Sequence, residues 1–246
     1  MKYISILLML LALIQPQQAE AAAAFGHSSA GNSSNTTSVS FAHNATGDSY
    51  LVAIFQTRAT TGGCGATELT GFSATYNSVP LSFSEGTANT SITIVPASDC
   101  LHGKVMYLAN PSTGSNTFSV SWTGNGYVAV TVMSFSGAGS LGTIVRDTSS
   151  GTTHSATASI TSNDIAMGGL AFTELVANVS SAESNYIETA DAGGFSLSAA
   201  ATQSFTTGSE TLSFTTPNTV GITWAIPVLA TAVAGTSLEV PFYLFD

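Results

Sequence analysis

The chain has 246 residues, 44% of them hydrophobic and only 7% charged, with a formal charge of −10. That is enough for one large domain or two small ones, and too apolar for disorder. Its 4 basic residues cannot build the cationic footprint that phosphate backbones require, which excludes nucleic acid and argues against nucleotides and anionic membranes as partners.

Met1, Lys2 and Tyr3 make a short positive start, and Ile4 to Ile14 is an apolar stretch too short to span a bilayer. Gln15 and Pro16 break it before Ala19, Glu20 and Ala21, the pattern of a secretory signal peptide over 1–21. The expected product is secreted or held at the cell surface, and cleavage takes Lys2 and Glu20 together, leaving Arg58, Lys104 and Arg146 as its basic residues. From 22 to 37 the chain is mostly Ser, Asn, Gly, Thr and Ala, which predicts a flexible N-terminal lead.

Strand patterns follow. Ser49 to Arg58 is apolar on both faces, as in a central strand covered on two sides. Cys64 and Cys100 come next; in an exported chain two cysteines allow one disulfide, whose loop closure is worth about 3 to 4 kcal/mol. Asn116 to Thr123 alternates, with Phe118, Val120 and Trp122 inward, and Tyr127 to Phe135 resumes the pattern. Gly124, Asn125 and Gly126 between them predict a hairpin turn. Further strands are expected at Pro80 to Ser84, Gly103 to Ala109, Ala156 to Ile160, Ile165 to Phe172, Tyr186 to Thr189, Phe195 to Phe205, Glu210 to Thr215 and Val220 to Leu229. No segment carries a helical apolar period, so the expected class is all-β: a two-sheet antiparallel β-sandwich, jelly-roll-like, over 38–234.

A weak internal duplication runs through it. Placing Thr117 on Thr211 without gaps brings Phe118 to Leu212, Val120 to Phe214, Val128 to Ile222, Val130 to Trp224 and Val132 to Ile226. Upstream, Asp48 or Ser49 before Tyr50 resembles Asp164 before Ile165, both opening an apolar strand. Each half has too few strands to cover both faces of its central strands, so the two are read as one sandwich. Residues 235–246 form a hydrophobic C-terminal strand, with Leu238, Val240, Phe242 and Leu244 on one alternation and Tyr243 and Phe245 on the other. Such a strand should pair, either at the edge of its own sheet or at a neighbouring subunit's edge, which would make a homo-oligomer or filament.

The segments GDSYLVAIFQTR, ATYNSVPLSFSEGT and KVMYLANPSTGSNTFSVSWTGNGYVAVTVMSFSGAG, with ITSNDIAMGGLAF and VGITWAIPVLATA, resemble uncharacterised exported bacterial β-sandwich surface modules. Those modules follow a strand, YNGVPLT, WYLxNPxxGxxTVxV, SFSG order, and the likeness spans about Asp48 to Ala232. Ser78 stands where the pattern usually has Gly, and Met106 where Trp or Leu usually precedes the tyrosine. The resemblance implies a surface module without a catalytic set.

The residues themselves agree with that implication. Acids are scattered singly, His27, His43, His102 and His154 are far apart in sequence, and no G-x-S-x-G elbow is present, so the expectation is no enzyme. No cofactor is implied; calcium is the ion an acidic exported chain would take, with Asp99, Asp147 and Asp164 as candidate ligands against a plain turn-stabilising role. Trp122 and Trp224 fall on inward positions, whereas Tyr76, Tyr127 and Tyr186 lie beside turns and are the candidates for an exposed sugar-binding platform. The expected function is that of a non-enzymatic structural or adhesive protein of the cell exterior, meeting a protein, cell-surface or glycan partner. The alternatives are a self-assembling filament or surface-layer subunit and a carbohydrate-binding module or glycan-active enzyme.

Overall fold

The computed structural model describes residues 22–59, 70–84, 91–94, 99–161, 163–172, 179–190, 197–204 and 208–232. The signal-peptide segment, Cys64 and the C-terminal strand with Leu238, Val240, Phe242, Tyr243, Leu244 and Phe245 lie outside them. Every regular element described is a strand. The first half holds β1 (Ala24–Asn44), β2 (Tyr50–Ala59), β3 (Thr70–Tyr76), β4 (Val79–Pro80), β5 (Ser82–Phe83), β6 (Ser91–Ile94), β7 (Asp99–Ala109) and β8 (Ser115–Ser136). The second holds β9 (Ala138–Leu141), β10 (Val145–Ile160), β11 (Ile165–Phe172), β12 (Ser184–Ala190), β13 (Leu197–Ser204) and β14 (Gly208–Ala230). They form two antiparallel sheets curled against each other, a two-sheet β-sandwich.

The duplication is visible in the pairing. β8 is flanked by β1 along one side and by β2 and β3 along the other, with β7 beyond β2. β14 is flanked by β10 on one side and by β11 on the other, with β13 beyond β11. Even the place of β3 has a counterpart: Ser73 pairs with Ser121, and a single bridge joins Ser180 to Thr215.

Three expectations are corrected. Gly124 to Gly126 is not a hairpin turn, because β8 runs through it as one strand. The glycines instead bend a strand that stays paired: Gly124 takes φ 101°, and β1 shifts register opposite them between Ser33 and Ser38. β14 likewise joins the two strands expected at Glu210 to Thr215 and Val220 to Leu229, and the break in register lies opposite, at Gly151 of β10. Lastly, residues 24 to 37 are no flexible lead but the first arm of β1, paired from Ala24 with Ser136 onward. Its two glycines answer close approach, since a Cβ on Gly31 would lie 2.1 Å from the Phe41 ring and one on Gly26 1.9 Å from Asp48 Oδ1.

The bend explains how each half covers itself. Folding the long hairpin back lays Phe118, Val120 and Trp122 over Leu51, Ala53 and Phe55 of β2 and Val128, Val130 and Val132 of β8, closing a first core. In the second half Leu212 of β14 packs with Ala166 of β11, and Phe214 with Leu170 and Phe172. The faces left over meet in a shared central core of Val52, Ile54, Val105, Met133, Met167, Ile222, Trp224 and Ile226. Trp224 is fully buried there, and it fits because Gly103 opposite has no side chain: a Cβ would lie 2.3 Å from the indole. Polar ties fix the two sheets in register: the Gln56 amide pairs with both backbone groups of Phe172 (2.7 and 3.2 Å), and Ser198 Oγ donates to Ile54 O (3.1 Å).

Candidate functional site

The motif residues that carried the resemblance are structural. Asn77 and Ser78 sit at φ 49° and 66° in the tight turn joining β3 to β4, so the pattern's usual glycine answers a left-handed requirement that Ser78 meets under strain. Tyr76 is fully buried, its hydroxyl between the carbonyls of His43 and Gly114 (3.0 and 2.9 Å), which corrects its reading as an exposed platform. Asn116 Nδ2 donates into the same loop, to Thr113 O (3.1 Å).

Of the other candidates, Tyr127 is half-buried on β8, and Tyr186 on β12 donates its hydroxyl to Glu188. Burial and that carboxylate raise the Tyr186 phenol far above its ordinary range. The two tyrptophan positions are interior as expected, Trp122 in the first core and Trp224 in the shared one. Asp147 is exposed on β10, and only the backbone of Asp99 and Cys100 is described. Asp164 is buried, its Oδ2 accepting from the Thr161 N–H and hydroxyl (2.8 and 2.6 Å) and its Oδ1 from the Ala230 N–H (2.9 Å). Burial alone would raise its carboxyl, yet these three donors outweigh it and hold the group below its usual value. Its oxygens are thereby committed to closing a turn. Among the described residues no three His, Cys, Asp or Glu side chains gather as a metal site.

The counterpart Asp48 does something different. Its Oδ2 accepts from His27 Nδ1 (2.8 Å) and from Ser134 Oγ (2.5 Å). Ser134 has thus given its one proton away, so it accepts from His43 Nε2 (3.0 Å), and the bare Nδ1 of His43 accepts from Ser29 Oγ (2.8 Å). The result is a one-way chain of side chains from Ser29 through His43 and Ser134 to the carboxylate. It ties both arms of β1 to the head of β2 and to β8. Burial lowers His43 to about 4, against the raising effect of Asp48, so its imidazole is neutral at pH 7 and a weak proton acceptor. Ser29 has the distance of a nucleophile from its base, but neither of the cavities described below is lined by it. Sequence reading missed this chain because Ser134 lies far along the sequence from the other members, which are spread between His27 and Asp48; the one signal was a lone acid opening an apolar strand.

A second feature invisible in the sequence is Lys104, buried on β7 with its Nζ 5.1 Å from the Phe72 ring centroid and 5.9 Å from that of Phe83.

Two cavities stand out. One, of about 470 Å³, is a depression lined by hydroxyls and amides, including Thr75, Asn77, Ser78, Asn116, Thr117 and Ser119. The other, of about 390 Å³, lies where the first half passes into the second. Its walls are Tyr50 of β2, Tyr107 of β7, Ser84, and Ser140, Leu141, Gly142 and Ile144 of the connecting segment. The two tyrosine rings stack, with centroids 6.1 Å apart and planes 11° from parallel. Ser84 Oγ is buried and has no hydrogen-bond partner among the described residues.

The outer layers are hydroxyl-rich. On the first half Thr75, Ser119 and Ser40 stand in one row across three strands and Ser73, Ser121 and Ser38 in the next. On the second, Ser159, Thr157, Ser155 and Thr153 of β10 face Ser209, Thr211, Ser213 and Thr215 of β14. Alternate positions along the same strands, such as Val39, Phe118, Val120, Ala156, Ala158, Leu212 and Phe214, are buried. No family model matches the chain, and neither does any curated protein or solved structure.

Proposed function

We propose that this is a non-enzymatic structural or adhesive protein of the cell exterior, acting through surface contact. The observation that carries the reading is the set of hydroxyl rows on the outer layers of the two halves, in which Ser and Thr repeat in register at alternate strand positions. Such a face offers donors and acceptors at each rung and little charge repulsion against a close neighbour. The export pattern at the N-terminus and the likeness to exported surface modules support the location. The burial of His43, which makes it a weak proton acceptor, and the absence of Ser29 from the lining of either cavity support a fastening role for the polar chain.

The test is retention of the purified chain on immobilised bacterial cell-envelope fractions. The native protein is compared with a quadruple variant carrying Thr117→Glu, Ser121→Glu, Thr157→Glu and Thr211→Glu, all on exposed strand positions. Retention of the native chain and its loss in a folded variant is the expected result. Absence of retention in the native chain, or equal retention of both, overturns the reading.

A further inference from the structure

We propose that the cavity at the junction of the halves is a binding site for a neutral saccharide. This rests on the contact role proposed above and names one chemistry through which it would act. The argument starts from what lines the cavity: two stacked phenol rings, the aliphatic side chains of Leu141 and Ile144, and the hydroxyls of Ser84 and Ser140. Among the described residues no carboxylate, ammonium, guanidinium or imidazole lines it. An anionic ligand would find no cation, and a metal ion no carboxylate, among these described walls. A plain hydrocarbon chain would leave four hydroxyl-bearing residues without use.

A pyranose matches both kinds of wall. Its C–H faces lie against aromatic and aliphatic carbon, and its equatorial hydroxyls point outward to donors and acceptors. The volume of about 390 Å³ is within the range of small-ligand pockets. Ser84 gives an independent pointer. The residue lines this cavity, and its hydroxyl, withdrawn from solvent, is without a partner among the described residues; turning about χ1 toward a ligand would give it one. The Tyr50 phenol, pushed up to about 12 by burial and by Tyr107, stays protonated and able to donate at any physiological pH.

The experiment is ligand-observed NMR with the full chain against methyl glucoside, methyl galactoside, methyl mannoside, cellobiose, lactose and chitobiose, with sialyllactose and decanoate as charged and apolar comparators. At least one neutral sugar should bind. Ser84→Ala should weaken it roughly threefold to tenfold and Tyr107→Ala roughly tenfold or more, with the Asn77→Ala variant in the other depression unchanged. If Tyr107→Ala fails to fold, Tyr107→Phe and Ser140→Ala take its place, each expected to weaken binding roughly threefold. Binding of none of the neutral sugars, preference for decanoate or sialyllactose, or sugar binding indifferent to these substitutions overturns the site. Envelope retention that survives Ser84→Ala and Tyr107→Phe while no sugar binds refutes this site alone and leaves the contact reading standing.

Discussion

Asp48 and Asp164 occupy the same place in the two halves and have been put to different uses. Each follows a turn closed by the same backbone bond, Asp48 N–H to Ala45 O and Asp164 N–H to Thr161 O, and each stands at the head of a strand in the middle of its sheet. In the second half the carboxylate is saturated by its own turn and by the end of β14. In the first half it collects a hydroxyl and an imidazole, and through Ser134 it reaches a second, buried imidazole. A duplicated scaffold thus has one end locked by a turn and a strand end, and the other held by a chain of side chains that includes a buried imidazole.

Severing the two halves should have the largest effect. Trp224→Ala empties the centre of the shared core and is expected to cost about 3 to 5 kcal/mol, read as a lower midpoint in chemical denaturation. Retention of the native midpoint would mean that the halves do not depend on their common face.

Acid should then loosen the Asp48 end of the first half before the Asp164 end of the second. The folded pKa of His43 lies below that of a free imidazole, so the folded state favours the neutral form. Its contribution is complete above pH 6.5 and is lost as pH falls from 6.5 to about 4, a change of about 3 kcal/mol. His43→Asn should start less stable but show a flatter slope across that window, save for the share of His154, which burial also lowers. Asp164 behaves as a depressed carboxylate: its contribution is present above its unfolded value of 3.8 and is lost only as pH falls through the lower folded value. An equal slope in the native protein and His43→Asn between pH 4 and 6.5 would remove the distinction.

Asp164→Asn is expected to cost about 2 kcal/mol at pH 7, since one charged acceptor of three donors becomes a neutral amide. The smallest effect has the opposite sign. Ser78→Gly should stabilise the protein by about 0.5 to 1 kcal/mol by relieving the left-handed conformation in the turn between β3 and β4. A loss of stability there would show that the Ser78 side chain contributes something the backbone angle conceals.

The alternation in Asn116 to Thr123, the doubly apolar Ser49 to Arg58 and the Thr117-on-Thr211 alignment already held the class, the central strands and the duplication. What they could not hold was whether Gly124 and Pro217 turn the chain or bend it. Locally both residues interrupt a strand; only the partner strand, with its own break at Ser33 to Ser38 or at Gly151, keeps the bonds running through. The same distance hid β1, whose side chains carry almost no pattern because its pairing is with backbone. Both the polar chain and the tyrosine cavity draw on segments from opposite ends of a half, so neither composition nor spacing marked them.

Ala24 pairs with Ser136, so β1, made before the rest of its half, must wait for nearly all of that half before it has a partner. An apolar strand kept waiting so long would invite other chains to its open edge. The Gly, Ser and Asn content of its first arm lets it remain solvated until β8 arrives, and it then docks without bulky side chains to arrange. The order in which the half is made therefore adds its own constraint on this stretch to those of the finished fold.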